Sequence, residues 1–176
     1  MKWKDKLIKD IILSIKESSK EALHLEDLLL KDTANIHLGV FTEPYLSLIF
    51  SGKKTIESRF SINRVVPYRK VFPQDIVLIK KTGGDILGFI IVKEVLYFSN
   101  LNESKIKVIN QEFGERLSWS ADPYFLSNKK DAKFLSLIMF DKIVSLNPLP
   151  SNKSDRTGWS IIKLGFNNTL FENKEL

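Results

Sequence analysis

The sequence predicts an α+β fold: a small mixed β-barrel of five or six strands with flanking helices and a helical extension at the N-terminus. Three observations carry this prediction. Apolar residues recur at helical spacing near the N-terminus. From residue 36 the pattern changes to short apolar runs separated by turn residues. Between those runs one later stretch returns to helical spacing and another carries the proline and glycine that bound a short helix. A chain of 176 residues fits one domain with an appendage and is long enough to bury a core. The boundaries read as a helical extension over 1–35, a domain over 36–166 and a tail over 167–176.

Residues 3–31 read as helical, because Ile8, Ile11, Ile12 and Ile15 follow the i, i+3, i+4, i+7 rule while Lys6, Lys9, Lys16 and Lys20 fall elsewhere around the helix. Leu23, Leu25 and Leu28 to Leu30 suggest a second helical region before Asn35. His37 to Phe41 reads as the first strand. Pro44, at an expected N1 position after Thr42, starts a short helix that stops at Gly52. Ile76 to Ile79 and Ile86 to Val95 are β-rich runs joined by Thr82-Gly83-Gly84-Asp85, a hairpin signal. Ile106, Ile109, Phe113 and Leu117 form a helical stripe, Phe134 to Val144 is a long β-rich run, and Trp159 to Leu164 is a final strand. Asn147 to Asp155, with two prolines, reads as a loop. No internal repeat is visible.

Composition excludes several chemistries. There is no cysteine, so disulfides, thiolate metal sites and cysteine nucleophiles are absent together. His24 and His37 stand without the HExxH spacing of a zinc site, so structural roles are expected for both and no metal is predicted. Gly52-Lys53-Lys54-Thr55 is not the end of a phosphate-binding loop, because Ser47 stands where that loop needs its first glycine. There is no GxSxG elbow, and Gly83, Gly84 and Gly88 lack dinucleotide-binding spacing. The apolar stretch near the N-terminus is broken by Lys9, Asp10 and Lys16, as neither a signal peptide nor a membrane span would be. A cytoplasmic protein without a membrane role is therefore expected.

The formal net charge of +6 is unevenly placed. Residues 52–81 hold Lys53, Lys54, Arg59, Arg64, Arg69, Lys70, Lys80 and Lys81 against only Glu57 and Asp75, which equals the whole excess of the chain. Folded onto one face, that stretch makes a concentrated field for an anion; spread out, it is a solvated basic surface. Within it, Gly52 ends the short helix, and the chain beyond is expected to be extended. Alternate residues of an extended chain share a face, so Thr55, Glu57 and Arg59 point together, with Lys54 near the start of the strand. An acid between cations beside a hydroxyl suits a phosphate, a carbonyl or a base edge. Proximity to Arg59 is expected to push the Lys54 pKa down.

Gly52-x-Lys54-x-x-Glu57-x-Arg59 resembles the GxKxxExR signature of ASCH domains, which share the fold of PUA RNA-binding domains. The flanks are similar to that family in the same order: His37-Leu-Gly-Val-Phe, Glu43-Pro-Tyr45, Pro67-Tyr68, Asp75-Ile-Val-Leu-Ile-Lys80, Gly83-Gly84, Phe134-Leu-Ser-Leu-Ile and Arg156-x-Gly158-Trp159. The resemblance spans roughly residues 36–164. It departs before the second strand, where Gln74-Asp75 stands in place of the family's Gly-Asp.

The resemblance implies RNA or a modified nucleoside as ligand, bound in a basic cleft around residues 52–59, and leaves open an enzyme in the same cleft. One branch of the family is an amidohydrolase of acetylated cytidine, and another resembles a metal-dependent ribonuclease, for which a divalent ion would serve. Carried over, the amidohydrolase lysine falls on Lys54, its acid on Glu112 of the later helix, and its threonine on Glu57. A carboxylate therefore stands in the nucleophile's place. For RNA cleavage, Lys54, Glu57, Arg59 and Tyr45 would supply base, acid and charge. Lys53, Thr55, Arg64, Lys80 and Lys81 would hold the ligand, and an exposed Tyr68 or Trp159 would stack on a base, although tryptophan favours the core. A protein partner docking on the N-terminal helix is the remaining expectation.

Overall fold

The computed structural model describes residues 3–15, 27, 33–141, 143–151, 153 and 156–165. The predicted second helical region at Leu23 to Leu30, His24 and the tail over 167–176 lie outside them. The chain forms two compact units, each drawn from separate segments: unit 1 from Met1–Phe41, Gln74–Ile90 and Val144–Leu176, and unit 2 from Thr42–Pro73 and Ile91–Ile143. No helix among the described residues is long and apolar enough to cross a membrane.

Unit 1 is organised by a five-stranded sheet. Its strands are β1 (Ile36–Phe41), β3 (Ile76–Lys81), β4 (Ile86–Ile91), β7 (Ile143–Leu149) and β8 (Trp159–Lys163), in the order β7-β4-β3-β1-β8. β1 runs parallel to β3, from Ile36 opposite Ile76 to Phe41 opposite Lys81, and antiparallel to β8. Both central strands are buried along nearly their whole length, which is why they read as continuous apolar runs rather than alternating ones. The β3–β4 hairpin closes as the sequence predicts. Lys81 donates its backbone N–H to the Asp85 carbonyl, and Gly83 takes a φ of 68° that only glycine adopts cheaply. Helix α1 (Trp3–Ile15) buries Leu7 and Ile11 in this unit, and the Lys4 ammonium donates to the Ile161 carbonyl at 2.6 Å. Of the predicted stripe Ile11 is buried and Ile8 and Ile12 are half-buried, with Leu7 buried beside them.

Unit 2 holds a three-stranded antiparallel sheet of β2 (Ile56–Ser61), β6 (Phe134–Met139) and β5 (Glu94–Ser99), with β6 central. Helices α2 (Tyr45–Phe50) and α3 (Glu103–Leu117) complete it, with two short 3-10 turns at Trp119–Ala121 and Ser127–Lys129. Asn102 caps α3, its side chain accepting from the Lys105 N–H at 2.9 Å. The predicted stripe turns inward: Ile109 and Leu117 are buried, and Ile106 and Phe113 pack against the cluster they share with Ile56, Leu135 and Leu137.

The α+β class and the N-terminal helix match the sequence prediction, while the strand inventory differs. The described residues form eight strands in two sheets rather than five or six in one ring. Ile86 to Val95 breaks into β4 and β5, and Phe134 to Val144 into β6 and β7, because each run leaves one sheet and joins the other. Both halves of such a run are apolar, so hydropathy carries no mark of the break. β7 also takes in Asn147 to Leu149, at the start of the predicted loop. It tolerates Pro148 because it is an edge strand. Pro44 sits at the N-cap of α2 rather than at N1, and the Glu43 carboxylate does the capping, accepting from the Ser47 N–H at 3.1 Å and its hydroxyl at 2.7 Å.

Candidate functional site

The signature segment builds a polar cluster inside unit 2. Gly52, with a φ of 74°, ends α2 and turns the chain back. The Lys54 N–H then bonds the Leu48 carbonyl at 3.0 Å, and β2 begins two residues later. Lys54 is driven inward, with 2% of its surface exposed. Its ammonium donates to the carbonyls of Ile56 at 2.7 Å and Leu117 at 2.8 Å, and lies 3.5 Å from Glu57 Oε2. Leu117 is the last residue of α3, where the helix dipole presents its negative end to a cation. All three ammonium hydrogens are thereby accounted for. The Lys54 pKa is lowered, chiefly by burial; Glu57 opposes that shift, and Arg59 adds a smaller push downward. The expected direction holds, but loss of water rather than Arg59 is its main cause.

The extended geometry expected for this segment is present. Glu57 and Arg59 share a face of β2, with Arg59 Nε 2.7 Å from Glu57 Oε1. Ser58, between them, faces the other way and accepts from the Trp119 indole N–H at 2.9 Å. Tyr45 enters from α2: its ring lies 5.4 Å from the Lys54 ammonium and meets Phe125 edge-on at 5.3 Å. The Tyr45 hydroxyl is shielded from water and has no hydrogen-bond partner among the described residues. Its pKa is pushed up to about 12, first by burial, then by Asp122 and Glu57. The phenol therefore stays protonated as a donor.

A second hydroxyl shares this condition and was missed in the sequence. Ser136 on β6 stands directly opposite Arg59 in the ladder, so the two share a face. Its side chain is 1% exposed, and its Oγ has no partner among the described residues. Its signal was one polar residue in the apolar run Phe134 to Phe140, a place where an unpartnered hydroxyl costs stability.

The other predicted residues divide. Thr55 accepts from Arg116 Nε at 3.0 Å, which ties it to the end of α3. Lys53 is exposed beside a groove with Gly114, Glu115 and Ser118. Glu112 is exposed on α3, with no described contact to Lys54. Arg64 is exposed and lies over the Phe134 ring at 5.5 Å. Tyr68 is not the exposed stacking platform that was expected: it is 7% exposed, its ring taken by Phe134 at 4.9 Å and Tyr97 at 5.4 Å. Lys80 and Lys81 belong to unit 1. Trp159 is core there, donating its indole N–H to His37 Nδ1 at 3.2 Å. The basic stretch is therefore not a uniform surface, since Lys54 and Lys80 are buried and Arg59 is partly so. Among the described residues no His, Asp and Glu gather in threes as a metal site requires.

The family model for the ASCH domain matches residues 40–143. Among solved structures, the crystal structure of ASCH from Zymomonas mobilis is similar in fold, with a TM-score of 0.57 and 14% identity over 80% of this chain and 96% of that one. A tyrosine-to-phenylalanine variant of the Zymomonas protein superposes with a TM-score of 0.56 at 14% identity, covering 78% of this chain and 95% of that one. A serine-to-alanine variant gives 0.56 at 12% identity, covering 78% and 93%. Comparison with curated protein sequences finds no match.

Proposed function

This chain belongs to the ASCH domain family, a PUA-like fold, and on that premise we propose that unit 2 binds single-stranded RNA or a modified nucleoside at the cluster around residues 52–59. The observation that carries this reading is the pair of shielded, unpartnered hydroxyls, Tyr45 Oη and Ser136 Oγ, beside Glu57 and Arg59. A folded protein rarely leaves such groups unsatisfied, so each is expected to be completed by water or by a ligand that displaces it. Together they offer a protonated phenol, a hydroxyl that donates or accepts, and a guanidinium beside a carboxylate. That set matches the mixed donors and acceptors of a base edge and its sugar better than it matches a bare anion. The Zymomonas variants each remove a hydroxyl, one from a tyrosine and one from a serine, the same two residue types that stand unpartnered here. The test is titration of labelled single-stranded RNA, and separately of acetylated cytidine, at rising salt. RNA affinity that falls as salt rises supports the reading, and neither ligand binding at any salt overturns it.

A second reading, catalysis in the same cluster, is favoured by Lys54 itself. Its lowered pKa beside Glu57 suits a proton shuttle more than a fixed charge. It requires that Lys54 exchange one carbonyl partner for substrate. Turnover of RNA or acetylated cytidine that is lost in Lys54→Ala would establish it.

A further inference from the structure

Unit 1 carries its own cleft, of about 500 Å³, between the β3–β4 turn and the segment that leads into β8. We propose that it is a phosphate site for a nucleotide-sized ligand, in which Lys80, Lys153 and Arg156 surround the phosphate group. The inference does not rest on the unit 2 reading, because every residue lining this cleft lies in unit 1.

Lys80 carries the argument. It is 9% exposed and lines the cleft, yet among the described residues its ammonium has one hydrogen-bond partner, the Gly84 carbonyl. A buried ammonium has three hydrogens to satisfy, and a carboxylate is its usual companion. Among the described residues the acid lining this cleft is Asp85, exposed on the turn, and no ion pair joins it to Lys80. Lys153 donates to the Thr157 carbonyl at 2.7 Å and to its hydroxyl at 3.1 Å, which fixes a second cation on the lining of the cleft. Arg156 adds an exposed guanidinium. Ser151 contributes a hydroxyl shielded from water and without a partner among the described residues.

Among the described lining residues cations outnumber the acid Asp85, and Lys80 and Arg156 alone offer two positive charges to a phosphate group. The volume lies in the range of small-molecule pockets and exceeds what a lone phosphate needs, so the group arrives on a larger ester. Free nucleotides carry this group as a terminal dianion, whereas the backbone of RNA carries it as singly charged phosphodiesters.

The experiment follows backbone amide resonances of the full chain at constant ionic strength. It compares adenosine 5′-monophosphate, adenosine, chloride and a short single-stranded RNA with a 5′-hydroxyl. The monophosphate is expected to shift Gly83, Gly84 and Gly158 saturably, whereas adenosine and chloride do not. Arg156→Glu, at an exposed position where folding is undisturbed, is expected to weaken that binding at least about tenfold. Equal shifts from the RNA would assign the site to backbone phosphates, and shifts from the monophosphate alone to a terminal phosphate; either supports the site. No saturable shift, the same shift from chloride, or full affinity in Arg156→Glu would overturn it. RNA binding lost in Tyr45→Phe with the glycine shifts intact concerns unit 2 alone.

Discussion

Each unit buries a polar network, and the two networks are finished differently. In unit 1 the Asp75 carboxylate accepts from the Asn35 N–H at 2.9 Å, the Asn35 side-chain amide at 3.1 Å and His37 Nε2 at 3.0 Å. Asn35 Oδ1 accepts in turn from the Gly165 N–H at 3.0 Å. The indole of Trp159 can only donate, so His37 Nδ1 must accept and Nε2–H donates to Asp75. Every one of these groups has its partner within the chain. In unit 2, Lys54 and Glu57 are buried and Arg59 partly so, but Tyr45 Oη and Ser136 Oγ are left over. Burial and charge are common to both networks. What separates them is closure: a closed network holds a fold together, while an open one keeps hydroxyls that a ligand could satisfy.

The largest effect is expected where closure is broken. Asp75→Ala strands two Asn35 donors and the His37 Nε2–H inside unit 1, and is expected to cost roughly 3–5 kcal/mol in urea unfolding. Ligand affinity of the fraction that stays folded should not change. A cost below about 1 kcal/mol would mean that the network is not structural, and the comparison would fail on its first side.

The open side predicts the reverse pattern. Tyr45→Phe and Ser136→Ala each delete a hydroxyl that has no protein partner, so stability should hold or rise by up to about 1 kcal/mol. Affinity for RNA or nucleoside should fall about tenfold for each. Loss of stability without loss of affinity would recast both hydroxyls as structural. The phenol also leaves a mark in alkali. With its folded pKa raised from 10.0 to about 12, the native state keeps a proton that the unfolded chain has lost. Its stabilising contribution is complete below pH 10 and is lost as pH rises toward 12, so wild type should lose stability across that window and Tyr45→Phe should not.

Lys54 gives the opposite slope. Its folded pKa lies below the ordinary 10.5, so across the window beneath that value the unfolded chain binds a proton that the folded one does not. Stability should rise with pH there, and Lys54→Met should flatten the rise. An identical slope in both proteins would show that Lys54 titrates like a solvated lysine, which would also remove the case for catalysis.

Much of this contrast could be read from the sequence, though unevenly. Glu57 and Arg59 on one face follow from the period of a strand, and Lys54 near its start follows from the glycine that ends α2. The inward turn of Lys54 was not visible, because the carbonyl that holds it belongs to Leu117, 63 residues further on. Ser136 escaped for a related reason: its importance rests on lacking a partner, which no local pattern records. Tyr68 was misplaced because its burial depends on Tyr97 and Phe134, which reach it from β5 and β6, distant in sequence. The two-sheet division was hidden by apolar runs that continue through their breaks. Local chemistry was legible, and long-range satisfaction of polar groups was not.

The smallest effect sharpens the comparison from the closed side. Gln74 takes a φ of 74° immediately before Asp75, in the turn that delivers the carboxylate to its network. A side chain in that left-handed region carries backbone strain that glycine avoids. Because Gln74 is exposed, its side chain has little packing to set against the strain. Gln74→Gly should relieve the strain but free the unfolded chain, for a net gain of about 0.5 kcal/mol in urea unfolding. Ligand affinity should not change, since the closed network does not touch ligand. A gain in stability accompanied by weaker RNA binding would mean that strain at this turn is transmitted to a functional site, and unit 1 could then no longer be read as scaffold alone at Asp75.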